Sequence, residues 1–275
     1  MTLPHPLPLC RAGGASVRGL AHVRADKPNQ DAVLWRLPDE HFTDAAVALA
    51  DGHGAAPHFR SDIGARLAVE SAGAVLGRYH QPPDYGGDDP LPALLLGEWR
   101  ARVEADLARD PAPGSALPGA ALAPYGATLI AASATSDELT LVQIGDGDLL
   151  LVFGDGDVTR PLASDIGLVG EQTYSLCLDD AERHFRTASI WRTPGVPWPR
   201  AVVLASDGVG KSFADDDGLR RAIGGLVSHA DVDWTHLIAE LPGWLTALSN
   251  AGSADNASLA LLLLPDPLQM GETNR

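Results

Sequence analysis

Short apolar runs separated by turn-forming residues dominate the pattern along this chain of 275 residues. Runs of this length, rich in Val, Ile and Leu and bounded by Gly, Asp and Pro, are typical of buried strands. They predict strands over 45–50, 127–133, 139–144, 149–153, 201–206 and 258–264. Residues 14–36 predict two further strands around the turn-rich segment 26–29, where Lys27-Pro28 disfavours helix.

Longer stretches with apolar residues at helical spacing predict four helices. Over 61–76, Ser61 is a candidate N-cap, and Ile63 and Leu67 belong to an apolar stripe. The other predicted helices cover 94–107, 219–226 and 234–248. Three stretches predict irregular structure, two because they are rich in Pro and Gly and one, a candidate flap, because it lacks periodicity: 81–92, 110–124 and 160–187.

The order of these elements predicts the fold class. Strands come first, then two helices, strands again, and finally helices before a closing strand. This order favours an α+β protein in which helices are grouped against largely antiparallel sheets. We expect a single domain over residues 1–268 and a disordered tail over 269–275.

Composition excludes several classes of function. Lys and Arg total 20 against 36 Asp and Glu, a formal net charge of −16, which disfavours binding to nucleic acid or to an anionic membrane. The longest apolar run, 259–264, is far too short to cross a bilayer. Cys10 and Cys177 give neither a metal-finger spacing nor a disulfide framework. We therefore expect a cytoplasmic protein without a nucleic-acid or membrane partner.

Four aspartates share one local setting, at or just beyond an end of a short apolar segment: Asp31, Asp51, Asp207 and Asp255. Carboxylates at the ends of neighbouring strands converge, and they repel one another unless a hard cation lies between them. The pattern therefore predicts a site for a divalent metal. Any one of these residues taken alone also fits a simple turn, since Asp-Gly and Asp-Asn pairs are common turn formers.

Six motifs in order along the chain make the resemblance to a family specific: Asn29-Gln30-Asp31-Ala32, Asp51-Gly52-His53-Gly54, Gly126-Ala127-Thr128, Ile144-Gly145-Asp146, Ala205-Ser206-Asp207-Gly208 and Asp255-Asn256-Ala257-Ser258. Together they resemble the motifs of the PP2C-type (PPM) metal-dependent Ser/Thr protein phosphatases, in a divergent bacterial branch. The resemblance covers residues 15–264. It implies a sandwich of two mainly antiparallel sheets flanked by helices, in α-β-β-α layers.

The resemblance also implies a two-metal site with Mn²⁺ or Mg²⁺ and assigns roles to its residues. Asp51 would bridge both ions, and the backbone carbonyl of Gly52 would bind one of them. Asp207 and Asp255 would complete the ligands of the first of the two ions, with Asp31 nearby, and Asp146 matches the aspartate that helps to hold a third, weaker ion. A water activated between the ions would attack phosphorus directly. His53 would protonate the leaving alkoxide.

One departure from the family pattern concerns binding of the substrate phosphate. The register that usually holds an arginine contains Asp26 here. Arg24, Lys27 and Arg60 are therefore alternative phosphate-binding residues, and the sequence does not choose among them.

The function that follows is hydrolysis of phosphoserine and phosphothreonine in a phosphorylated protein, opposing a Ser/Thr kinase. Two alternatives stay open. The first is a pseudophosphatase that binds a phosphoprotein or a kinase without turnover, which the altered arginine register supports. The second is a hydrolase of small phosphate esters with the same fold, because the chemistry at phosphorus would be the same.

Overall fold

The strands alternate side chains between two buried faces, and this alternation builds two packed sheets. The computed structural model describes residues 10–39, 44–79, 89–111, 121–165 and 173–265. Ten strands lie within these ranges: β1 (Arg11–Val17), β2 (Asp31–Arg36), β3 (Ala45–Asp51), β4 (Leu129–Ala134), β5 (Glu138–Ile144), β6 (Asp148–Val152), β7 (Val158–Thr159), β8 (Arg186–Trp191), β9 (Ala201–Ala205) and β10 (Ala257–Leu263).

The strands form two five-stranded sheets in which neighbouring strands run antiparallel. The order is β1-β10-β9-β6-β7 in the first sheet and β2-β3-β4-β5-β8 in the second. In β3, Val47 and Leu49 face the space between the sheets, whereas Ala46 and Ala48 face the helices outside. This two-residue period, with both faces apolar, is the pattern of a strand buried on both sides.

Helices cover the outer face of each sheet. The described residues contain α1 (Leu20–Arg24), α2 (Ser61–Leu76), α3 (Leu91–Arg109), α4 (Asp207–Gly210), α5 (Asp216–Val232) and α6 (Trp234–Ala251). Helix α2 packs on β2, β3 and β4 and against α3, while α6 packs on β1 and β10 and α5 on β6 and β7. The prediction of α-β-β-α layers with mainly antiparallel sheets is therefore confirmed.

Several elements differ from the sequence prediction; α4 and β7 were not predicted, and α5 is longer than the predicted 219–226. The segment predicted as two strands contains the short helix α1, which is held by a bond from Ala21 N to Ala254 O (2.8 Å). Helix α3 begins at Leu91 rather than at residue 94. Strand β8 starts inside the predicted flap; it pairs with β5, and its residues are only half-buried, so no strong apolar signal marks it. The predicted tail over 269–275 lies outside the described residues.

Candidate metal centre

Two of the predicted ligands face each other across the register of β2 and β3. Asp31, the first residue of β2, pairs directly with Asp51, the last residue of β3. The backbone of Asp51 is fixed from the next strand, because Asp51 N donates to Thr128 Oγ1 (3.0 Å) and Thr128 N donates to Asp51 O (2.8 Å). Regular strand pairing therefore places these two carboxylates side by side.

Gly52 follows Asp51 in a position that only glycine fits. Its N–H donates to Gln30 O (3.0 Å), and it forms a bridge with Ala127. A Cβ at this position would lie 2.6 Å from Ser61 O and 2.7 Å from Gln30 O. Such contacts with backbone atoms cannot be relieved by a side-chain rotation, so the close approach explains the glycine after Asp51.

The other two predicted ligands come from the first sheet. Asp207 begins α4 directly after β9, and Asp255 precedes β10. Because β9 and β10 are antiparallel neighbours, the end of one and the start of the other meet at the same edge. Lys211 Nζ donates to Asp207 Oδ2 (2.5 Å), and His22 Nε2 lies 3.2 Å from Asp255 Oδ1.

The electrostatics show that these carboxylates act on one another. Burial raises the pKa of Asp31 to about 7, and the charges of Asp207 and Asp255 add to that shift, although a hydrogen bond from Ser258 Oγ (2.6 Å) opposes it. Burial, followed by the charge of Asp31 and then that of Asp207, raises the pKa of Asp51 well above its ordinary value. Convergence of buried like charges of this kind is the situation that a cation relieves.

The donor set fits a hard divalent cation. Three buried oxygens of the site lack a hydrogen-bond partner in the described part of the chain: Gln30 Oε1, Asp31 Oδ1 and Asp207 Oδ1. Across the same residues, no group of three or more His, Cys, Asp or Glu side chains is already arranged to hold a metal ion. Mg²⁺ and Mn²⁺ can bind without such a group, because they keep several waters and take only a few carboxylate and carbonyl oxygens from the protein.

Asp146 lies in the turn between β5 and β6, between two glycines with positive φ, Gly145 (92°) and Gly147 (89°). Burial raises the pKa of Asp146, and the charge of Asp207 is the next largest cause. Thr173 Oγ1 donates to Asp146 Oδ1 (2.9 Å). Asp146 is therefore an electrostatic neighbour of Asp207, and its role in a third metal site stays a prediction.

His53 lies in the turn over 51–54 and packs against a second histidine. Its ring and that of His58 meet edge to face with centroids 4.9 Å apart. Burial, and then the charge of His58, lowers the pKa of His53 to about 4. The ring is therefore neutral at pH 7 in the free protein. A dianionic phosphate nearby would raise the pKa of His53, as any adjacent negative charge does.

Two of the three candidate phosphate-binding cations already have partners. Lys27 Nζ donates to Gly54 O (2.7 Å), on the loop that carries His53. Arg60 donates to Asp110 Oδ2 (2.9 Å) and to Tyr125 Oη (2.8 Å). Arg24, at the end of α1, is exposed. The choice among them stays a prediction.

Sequence reasoning missed the residues that hold the ligands in place. His22 lies in none of the six motifs, but it contacts Asp255 from α1. Lys211 follows Asp207 by four residues across a helical turn, and this spacing is a signal that sequence reading can use. The contact between His22 and Asp255 joins residues 233 positions apart, so nothing local in the sequence indicates it.

Comparison with known proteins identifies the family. A family model described as Protein phosphatase 2C matches residues 18–246, most of the chain. The chain therefore belongs to the PP2C-type Ser/Thr phosphatase family. Serine/threonine-protein phosphatase 3 of Escherichia coli (strain K12) is 28% identical over 177 residues, 63% of this chain and 65% of that protein. The matched part thus spans just under two thirds of that relative's length.

Solved structures of phosphatases share the fold. The catalytic domain of the serine/threonine protein phosphatase PstP, in complex with two manganese ions, has a TM-score of 0.57 and 21% identity; the match covers 94% of this chain and 99% of that one. PppA, a key regulatory component of T6SS in Pseudomonas aeruginosa, has a TM-score of 0.60 and 19% identity, with the same coverage. Among the helices described here, none has the length and apolarity needed to cross a bilayer.

Proposed function

We propose that this protein is a metal-dependent phosphatase that hydrolyses phosphoserine and phosphothreonine in proteins. The observation that carries the proposal is the convergence of Asp31, Asp51, Asp207 and Asp255, with oxygens of Asp31 and Asp207 left without partners. A purely structural cluster would pair those oxygens, since a buried polar atom without a partner costs about 1–3 kcal/mol. A catalytic site keeps them for a ligand.

The residues that would hold Mn²⁺ or Mg²⁺ are Asp51, Asp207, Asp255, Asp31 and the carbonyl of Gly52, with Asp146 for a third ion. The PstP structure contains two manganese ions, and the shared fold supports the same cofactor here. When bound, such ions supply Lewis acidity that activates water and neutralises charge on the phosphoryl group. The chain itself fixes its carboxylates by the pairing of β2 with β3 and of β9 with β10.

His53 would serve the leaving group. Its backbone N–H donates to Gly126 O (3.0 Å), and its backbone carbonyl accepts from Ser61 Oγ (3.0 Å) and Gln30 Nε2 (3.2 Å). These bonds fix the backbone from which the ring projects. With its pKa raised by the substrate phosphate, the imidazolium would give its proton to the departing serine or threonine oxygen.

The physiological substrate would be a phosphorylated protein whose kinase this enzyme opposes, and the setting would be cytoplasmic. Of the cations near the site, Arg24 is exposed and carries no assigned role in the fold. Binding of the substrate phosphate would therefore fall to Arg24, or to Lys27 once it leaves the Gly54 carbonyl.

One observation favours a second candidate, a pseudophosphatase. Arg60 is bound to Asp110 and Tyr125, and Lys27 to Gly54, so within the described part of the chain Arg24 alone of the three predicted phosphate-binding cations lacks such a bond. A protein with this fold that binds metal but binds the substrate phosphate weakly would recognise a phosphoprotein or kinase without turnover.

The test is phosphate release from a phosphothreonine peptide and from p-nitrophenyl phosphate, each with Mn²⁺, with Mg²⁺ and with EDTA. We expect metal-dependent release from the peptide that EDTA abolishes. Release from p-nitrophenyl phosphate alone would indicate a small-phosphoester hydrolase. No release from either substrate by a folded protein that still binds Mn²⁺, as measured by calorimetry, would indicate a pseudophosphatase.

A further inference from the structure

The loop that carries His53 packs on a short segment that begins with the 3₁₀ turn Ala123–Tyr125 and ends at Gly126. Three carbonyls of this segment accept hydrogen bonds from the loop: Ala123 O from His58 Nδ1 (2.5 Å), Pro124 O from Arg60 N (2.9 Å) and Gly126 O from His53 N (3.0 Å). A carbonyl can only accept, so His58 Nδ1 carries the proton. The segment therefore fixes the His58 ring as well as the path of the loop.

Tyr125 anchors this segment to the core. Its side chain is fully buried, and its hydroxyl donates to Asp106 Oδ2 (2.7 Å) and accepts from Arg60 (2.8 Å). Arg60 also donates to Asp110 Oδ2 (2.9 Å), at the end of α3. The carbonyl that binds His58 thus belongs to a turn that is bonded to a helix, so the His58 ring is attached to a well-packed part of the fold.

The ring fixed in this way contacts the ring of His53. The two ring centroids lie 4.9 Å apart and the ring planes meet at 65°, an edge-to-face arrangement. Both rings also pack on Gly126, where a Cβ would lie 2.5 Å from His58 Nδ1 and 2.8 Å from His53 Cδ2. The His53 ring is therefore bounded by the His58 ring on one side and by the Gly126 backbone on another.

Packing is what limits the His53 side chain. The hydrogen bonds between His53 and other described residues all involve its backbone, not its ring. A proton donor needs a ring nitrogen that stays available to the substrate, so a hydrogen bond from the protein to that nitrogen would compete with the reaction. A neighbouring ring can hold the direction of an imidazole without occupying its nitrogens.

We propose that His58 is a positioning residue for His53, and that its ring holds the His53 imidazole in the direction needed to protonate the leaving oxygen. This inference rests on the proposed function, because it takes His53 as the proton donor. His58 acts through the ring contact and not on the substrate. Without that contact the His53 ring can rotate away, and a misplacement of about 1 Å can cost about 10²-fold in rate.

The first experiment observes the His53 ring by NMR and needs no phosphatase activity. The protein carries isotope-labelled histidine and is studied with Mg²⁺, which is diamagnetic. The short distance from His53 Cδ2 to Gly126 predicts a nuclear Overhauser effect between the Cδ2 proton and the Hα protons of Gly126. In His58→Ala this effect should weaken several-fold, because the ring samples other rotamers. An effect of unchanged strength would overturn the proposal.

A second pair of histidine rings provides the matched control. His229 on α5 and His236 on α6 lie with their centroids 5.8 Å apart, and both residues are exposed. His229→Ala removes one ring of this pair and should leave the His53 signal and the turnover of every substrate unchanged. A change in the His53 signal of this control equal to that in His58→Ala would show a general effect of losing a histidine and would overturn the proposal.

The second experiment measures how the leaving group affects the loss of activity. His58→Ala should lower turnover of a phosphothreonine peptide by up to about 10²-fold, through kcat rather than KM. Turnover of p-nitrophenyl phosphate should fall much less, because its leaving group departs without a proton. In a His53→Ala background, His58→Ala should cause no further loss, since the two residues act as one unit. Equal losses on both substrates, or a full further loss in that background, would overturn the proposal.

His58→Asn separates the ring from the hydrogen bond and gives a second variant if His58→Ala does not fold. Its amide can still donate to Ala123 O, but it brings no ring to His53. We expect the same selective loss on the phosphopeptide as in His58→Ala. A wild-type ratio of the two turnovers in His58→Asn would overturn the role of the ring. Absence of turnover in wild type would instead contradict the proposed function, and the NMR result would still decide whether His58 holds the His53 ring.

Discussion

The four central carboxylates fall into two pairs that are held in different ways. Asp31 and Asp51 lie opposite each other on the paired strands β2 and β3, and neither has an ion-pair partner in the described structure. Asp207 and Asp255 stand at the start of a short helix and in a loop, and each has a nitrogen partner, Lys211 or His22. The first pair is positioned by the backbone ladder, and the second by side-chain contacts.

The difference indicates where a cation is needed most. In the strand pair, burial raises the pKa values of both carboxyls, and neighbouring charges add to this: Asp207 and Asp255 act on Asp31, and Asp31 and Asp207 act on Asp51. The ionised forms of the pair are therefore unfavourable without a positive charge. In the loop pair, the ammonium of Lys211 already offsets part of the charge of Asp207, and His22 Nε2 contacts Asp255. The strand pair should therefore dominate metal-dependent activity, and the loop pair should adjust affinity.

The largest expected effect comes from replacing one carboxylate in each pair and comparing the activities of the two variants. Asp51→Asn removes the predicted bridging charge and should abolish metal-dependent phosphate release, whereas Asp255→Asn should retain measurable activity. For scale, loss of an outer-shell partner at a metal site costs about 10–100-fold, and Asp51→Asn should exceed that range. Both variants should unfold cooperatively on heating. Turnover by Asp51→Asn close to that of Asp255→Asn would contradict the division.

The next prediction concerns His53. His53→Ala should lower turnover of a phosphothreonine peptide by about 10²–10⁴-fold, the usual range for a lost acid–base group. Turnover of p-nitrophenyl phosphate should fall much less, because p-nitrophenolate leaves without protonation. The measurement is the ratio of kcat/KM for the two substrates in wild type and variant. Equal losses on both substrates would remove the proton-donor role.

Gly126 lies against the rings of both His53 and His58. Gly126→Ala places a Cβ against His58 and His53, and the required shift should lower phosphopeptide turnover by about 10–100-fold, like the loss of an outer-shell residue. Gly97→Ala is the matched control: it lies on an exposed face of α3 with open space around it. This control should keep full activity and gain roughly 0.5–1 kcal/mol of stability. Equal turnover in the two variants would contradict the crowding at Gly126.

The strand pair also predicts an unusual pH dependence in the metal-free protein. The pKa of Asp31 is about 7 in the folded state and 3.8 ordinarily, so the native state holds more protons between these values. Stability contributed by this group is full below about pH 4 and is lost as the pH rises through about 7. In EDTA, unfolding free energies of Asp31→Asn and wild type should therefore differ in slope by up to about 1.4 kcal/mol per pH unit. Parallel curves would contradict the raised pKa.

The proximity of Asp31 and Asp51 could be predicted from the sequence, whereas the contacts of Asp207 and Asp255 could be predicted only in part. The motif around Asp31 and that around Asp51 each abut an apolar run, and pairing of consecutive strands is the commonest arrangement, so their proximity follows from local pattern. The resemblance carried by six motifs, in order along the chain, also predicted the fold. His22 and the short helix α1 were missed, because α1 is held by the Ala254 loop and not by its own periodicity.

The predicted flap shows the same limit. Its segment around Leu176 returns to Ala127, where Leu176 N and Ser175 Oγ both donate to the Ala127 carbonyl. These residues are almost 50 positions from Ala127, so nothing local in the sequence indicates the contact.

The smallest expected effect concerns Lys211. The experiment asks whether its ammonium group replaces part of the metal's positive charge at Asp207. Lys211→Met removes the ammonium that Asp207 Oδ2 accepts from, so the metal-free site gains repulsion while the metal-bound site loses a competing cation. Mn²⁺ should therefore raise the midpoint of thermal unfolding by several degrees more in Lys211→Met than in wild type, since binding to the native state alone stabilises it. Arg66→Met is the matched control: it breaks a surface pair with Glu70 on α2 and should leave the Mn²⁺-induced shift unchanged. A smaller shift in Lys211→Met than in wild type would mean that Lys211 supports the metal-bound state, and the loop pair would then depend on its side-chain contacts as much as the strand pair depends on its register.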